Sequence, residues 1–215
     1  MARRTPHLGS PSQSAGTSPA PAEAGDPEAR ARQICLRLLT ISPRTRAQLA
    51  TTLHRRGIPA DVAEAVLARF TDVGLIDDAS FARAWVESRH HSRGLARRSL
   101  SAELRHQGVP AEEIRAAVGT LGPDQEVATA RRLVEQKLAA SRGQPPEVRV
   151  RRAAGTLARK GYPAGLVFRL IKEALENEGA REIPGLDLDQ DLNPDFDDGG
   201  HPGELGEPGE AHPGD

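Results

Sequence analysis

Leu104-Arg105-His106-Gln107-Gly108-Val109-Pro110 stands near the middle of the chain and sets the pattern of the whole. It ends one amphipathic segment and supplies a glycine that can close a helix in the left-handed conformation. It then offers a proline that pre-sets the first turn of the next helix. The same punctuation stands at Gly57-Ile58-Pro59 and at Gly161-Tyr162-Pro163, so the three glycines are 51 and 53 residues apart. A leucine stands four residues before each glycine (Leu53, Leu104, Leu157), and Leu49, Leu100 and Ala153 stand eight before. A breakpoint that returns three times at one period marks a repeat.

Working outward, each proline is followed by a segment apolar at helical spacing: Val62, Val66 and Leu67; Ile114 and Val118; Val167, Leu170 and Ile171. Each unit also has a helix upstream of the pair, over roughly 28–41, 79–91 and 124–140. The first is apolar at Ile34, Leu38 and Ile41, with Cys35 and Leu39 beside them; the last carries Val127, Leu133, Val134 and Leu138. No stretch alternates with period two, so no sheet is predicted. The expected fold is all-α: an elongated tandem array of three three-helix modules over 28–73, 75–121 and 123–177. Residues 1–27, mostly small residues and proline, and the acidic, Gly- and Pro-rich residues 178–215 are expected to be disordered, because neither can bury enough apolar surface to offset ordering.

The formal net charge of −1 over 215 residues conceals a division. Residues 28–177 hold 26 Lys and Arg against 16 Asp and Glu, a net of +10, whereas residues 178–215 hold 12 acids against Arg181, a net of −11. A basic body points to polyanions or charged partners. The opposed tail is expected to fold back transiently over the basic face and compete with nucleic acid. The single cysteine, Cys35, excludes an internal disulfide and sits in an apolar run as a buried, inert thiol. Arg3 and Arg4 precede no apolar stretch, which argues against a secretory signal, and no run approaches the ~18 apolar residues of a membrane span. The expected setting is soluble and cytoplasmic, and the expected state a monomer.

Chemistry for catalysis is hard to find. His90 and His91 are adjacent and so diverge on a helix, unlike the i, i+4 pair that zinc needs. Asp77 and Asp78 resemble an acid–base pair, but their place before a helix fits capping better. No phosphate-cradling glycine loop occurs. The expectation is therefore no enzyme, no cofactor and no metal. Positive charge does accumulate, at Arg89, Arg93, Arg97, Arg98 and Arg105, then at Arg131, Arg132, Arg149, Arg151, Arg152, Arg159 and Lys160. Arg98 and Arg105 are seven apart and share a helix face, with Leu100 and Leu104 roughly opposite. These twelve are the candidate residues for a protein or nucleic-acid partner. A helix-turn-helix reader of duplex DNA is the alternative, as is a scaffold for some other protein. Against the first, the basic helix precedes each turn, whereas a groove-reading helix should follow it.

Gly74-Leu-Ile-Asp-Asp-Ala-Ser-Phe-Ala-Arg-Ala-Trp-Val-Glu-Ser-Arg89 joins the first two modules. Phe81 and the only tryptophan, Trp85, share a helix face and are expected to anchor it in the core. This stretch, with Gly94 and Leu104-Arg-His-Gln-Gly108-Val, resembles the RecX family of bacterial regulators; the middle module carries the most specific match, and neither tail has a counterpart. The resemblance implies a protein that lodges in the helical groove of the RecA–DNA filament. It implies reduced recombinase, ATPase and coprotease activity of RecA, in DNA repair, recombination and the SOS response. Arginines of the second and third modules are expected to make the contact, through the basic face, with RecA and with single- or double-stranded DNA.

Overall fold

The computed structural model describes residues 26–179; the expectations for the two chain ends fall mainly on 1–25 and 180–215, outside the described residues. In chain order the helices are α1 (Pro27–Ile41), α2 (Arg46–Arg55), α3 (Ala60–Asp72), α4 (Asp78–Arg93), α5 (Arg97–His106), α6 (Ala111–Gly119), α7 (Pro123–Ala139), α8 (Pro146–Arg159) and α9 (Ala164–Asn177). Among the described residues there is no strand. The chain is all-α and built of three tandem three-helix domains.

The recurring leucine, glycine and proline now have a physical reason. Gly57, Gly108 and Gly161 have φ of 71°, 77° and 86°, the left-handed region where a side chain is penalised. Each glycine N–H donates to the carbonyl three residues back, His54, Arg105 and Ala158, at 2.9–3.0 Å. The next N–H, of Ile58, Val109 or Tyr162, donates to the carbonyl of Leu53, Leu104 or Leu157 at 3.1–3.2 Å. That pair of bonds is the Schellman closure, and its apolar contact is between the same two residues. All six of those apolar side chains are buried. Pro59, Pro110 and Pro163 then stand at the N-caps of α3, α6 and α9.

The described chain divides into two compact units, residues 26–89 with 100–120, and residues 90–99 with 121–179. In the first, α1–α3 enclose a core of Ala31, Cys35, Leu49, Leu53, Ala63, Val66, Leu67 and Phe70. The same unit buries Ala82 and Val86 of α4, Leu100 and Leu104 of α5, and Ile114, Ala117 and Val118 of α6. In the second, Ala96 joins Ala130, Val134 and Leu138 of α7, Val150, Ala153 and Leu157 of α8, and Val167, Leu170, Ile171 and Leu175 of α9.

Two sequence expectations need correction. Ile41 does not belong to the inner seam of α1: it is 71% exposed, while Ala31 and Cys35, one turn apart, are wholly buried. Phe81 and Trp85 are half-buried and not core residues. The inner seam of α4 is Ala82 and Val86, one position on and so about 100° round the helix.

Candidate functional site

The acids of the Gly74–Arg89 stretch act as caps. Asp77 accepts the Ser80 backbone N–H at 2.7 Å and the Ser80 hydroxyl at 2.6 Å, closing the start of α4. The hydroxyl first, and the N–H after it, hold the Asp77 carboxyl below the usual carboxylate range. Asp78 reaches back instead and accepts the Arg46 N–H at the start of α2, at 2.9 Å. The second unit repeats this device, with Glu126 of α7 accepting the Arg97 N–H of α5 at 2.9 Å. Both acids satisfy donors that a helix start leaves open. No local signal distinguished Asp78 from Asp77, because its acceptor role depends on a residue 32 positions away.

Trp85 and Phe81 stack at 5.5 Å between ring centres, and the Arg89 guanidinium lies 4.3 Å from the Trp85 ring centre. The Trp85 indole N–H donates to Glu103 at 2.9 Å, and Arg89 pairs with the same carboxylate oxygen at 3.8 Å. The rings line a groove of about 650 Å³ with Leu39, Pro43, Arg44 and Leu75. Exposed Leu36, Ile41, Val73 and Leu75 belong to the same unit. Sequence spacing gave no sign of this groove. It depends on Leu75 and Arg44, both outside helices, meeting the aromatic face of α4.

The twelve basic candidates differ in burial and in what they touch. Arg89 is committed to Trp85 and Glu103. Arg97 is bound to Glu126, 3.6 Å away, and to the Leu121 carbonyl. Arg149, whose side chain is only 13% exposed, donates to the Leu138 carbonyl at 3.1 Å and to Glu178 at 2.6 Å. Lys160 donates through Nζ to the Arg93 carbonyl, and its own carbonyl accepts the Ala96 N–H at 2.9 Å. Burial first, then the charges of Lys137 and Arg93, pull the Lys160 ammonium below its ordinary pKa. Those four act in the fold. Arg131 is exposed but pairs with Glu173 at 2.8 Å. Arg93, Arg98, Arg105, Arg132, Arg151, Arg152 and Arg159 are exposed. Arg98 and Arg105 both project from α5, whose Leu100 and Leu104 are wholly buried; Arg151, Arg152 and Arg159 project from α8.

Two polar residues of the second unit make contacts that their sequence neighbours do not signal. His90 contacts the Leu95 carbonyl through Nδ1 at 2.9 Å and Thr129 Oγ1 through Nε2 at 3.0 Å, so it links α4 to α7. Tyr162, 4% exposed, donates to the Gly94 carbonyl at 3.0 Å. Burial, then the Glu126 charge, push its phenol up to about 12. Among the described residues no helix is long and apolar enough to cross a membrane.

Comparison with known proteins follows the same three-part division. The family models for the first, second and third three-helix domains of RecX match residues 31–70, 77–118 and 124–171. The regulatory protein RecX of Thermobifida fusca is 65% identical over 151 residues, 70% of this chain and 82% of that one. The Streptomyces coelicolor regulatory protein RecX is 57% identical over 167 residues, 76% of this chain and 89% of its own. A crystal structure of RecX from Lactobacillus salivarius shares the fold, with a TM-score of 0.64 over 70% of this chain and 98% of that one, at 17% identity.

Proposed function

The chain belongs to the RecX family of regulatory proteins, and from that premise we propose that it binds the RecA–DNA filament and inhibits it. In this reading it is a non-catalytic cytoplasmic monomer. It lowers the recombinase, ATPase and coprotease activities of RecA by occupying the filament. The observation that carries the reading is the set of exposed arginines on α5 and α8, helices whose other side is fully buried, at Leu100 and Leu104 of α5 and at Ala153 and Leu157 of α8. Each of these helices offers guanidinium groups to phosphate, where each neutralised phosphate releases a counterion and affinity falls steeply with salt. Electrostatic attraction also speeds encounter.

Cosedimentation with RecA, with and without single-stranded DNA, tests the proposal. The chain should pellet with RecA–DNA filaments and much less with either component alone, and added salt should release it. A DNA regulator would instead bind naked duplex with a preferred site. Failure to pellet with filaments at low salt would refute the reading.

A further inference from the structure

The second unit carries an apolar groove of about 550 Å³ whose lining includes Val150, Ala154 and Ala158 of α8 and Val167 and Phe168 of α9. Arg151 stands at its edge, and Glu147 is its one acid. Across the whole of α8 the bases are Arg149, Arg151, Arg152 and Arg159, against Glu147 alone. An occupant should therefore combine apolar side chains with negative charge.

The chain contains such a segment. Residues 183–198 read Ile-Pro-Gly-Leu-Asp-Leu-Asp-Gln-Asp-Leu-Asn-Pro-Asp-Phe-Asp-Asp. Ile183, Leu186, Leu188, Leu192 and Phe196 are interleaved with six aspartates and no base. From 199 to 215 Leu205 is the single large apolar residue, so apolar and acidic character coincide only in this stretch. Its tether begins in the right place. Glu178, just past α9, is paired with Arg149 at 2.6 Å, which brings the end of α9 to the first turns of α8, where Val150 and Arg151 open the groove. From Gly179 to Leu186 the chain can span up to ~25 Å, more than the ~21 Å length of α9.

We propose that residues 183–198 of this chain dock in the α8–α9 groove, leucines and Phe196 inward and aspartates against Arg151. The tether holds the segment at high effective concentration, so even a weak contact is populated. Docked there, it shields the exposed Arg151 of α8 and makes its availability to a polyanion depend on salt. The inference stands on the groove and the segment, whatever the partner of the basic face.

Amide NMR of the full-length chain tests it. Replacing Leu186, Leu188, Leu192 and Phe196 by Ser, every aspartate kept, should shift the resonances of Ala154, Gly155, Ala158 and Phe168 and leave α1–α3 unmoved. Ala158→Glu, at an exposed position, should release the segment from the other side and shift the amides of 186–196. Changing the six aspartates to Asn should move the groove resonances in the same direction and remove their salt dependence. Groove resonances that ignore the Ser variant overturn the proposal. So does an aspartate effect without an apolar one, which would mean attraction by charge alone. Shifts confined to residues outside the α8–α9 groove overturn it as well.

Discussion

Gly57-Ile58-Pro59 and Gly161-Tyr162-Pro163 share one sequence signature and one backbone, yet they rest on different demands. A side chain added at Gly57 would meet nothing within 4 Å, so only the positive φ calls for glycine. Added at Gly161 it would collide with the Ser99 hydroxyl and lie 2.9 Å from the Ser99 backbone nitrogen, which cannot swing aside. Gly108 is crowded too, by Cβ of Ala47 on α2. The middle residues differ as well. Ile58 and Val109 are buried apolar plugs, while Tyr162 also hydrogen-bonds the Gly94 carbonyl. The first turn ends a helix; the later two also receive the start of an earlier helix.

Substitutions can break this comparison. Gly161→Ala should cost about 3–4 kcal/mol, adding overpacking against fixed backbone to the left-handed penalty. Denaturant unfolding of the full chain measures it, and a loss equal to that at Gly57 would erase the distinction. Gly108→Ala should fall just below, at about 3 kcal/mol, since α2 can yield slightly at Ala47. Gly57→Ala should cost only about 1 kcal/mol, the conformational penalty alone.

Between these lies the contribution of Tyr162. Its folded pKa of about 12 exceeds the unfolded value, so its stabilisation is fully present below pH 10 and is lost as pH climbs through 12. The loss should approach ~3 kcal/mol, since each tenfold difference in proton affinity between the folded and unfolded chain is worth ~1.4 kcal/mol. As the chain has one tyrosine, phenolate absorbance reports Tyr162 alone. It should titrate well above the free phenol and together with loss of helicity; ordinary titration near pH 10 in a folded chain would contradict the burial.

The helices and their repeat were legible because the signals are local. Leu53, Leu104 and Leu157 stand where the Schellman bond needs a carbonyl and an apolar contact, and that spacing survives in one dimension. What lay beyond reach depends on neighbours distant in sequence. Nothing around Arg149 marks it as the partner of Glu178, and nothing in Arg151 or Arg152 marks them as exposed beside it. Trp85 shows the same limit: spacing defines a helix face but not whether that face turns inward, and in α4 the buried residues are Ala82 and Val86.

The central claim is that exposed arginines of α5 and α8 carry inhibition of RecA. Strand exchange by RecA, with the full chain bearing Glu at positions 98, 105, 151 and 152 together, tests it most directly. All four side chains are exposed, so helicity by circular dichroism should equal that of the unaltered chain. Inhibition should disappear at concentrations where the unaltered chain inhibits fully; undiminished inhibition by the folded variant would contradict the account.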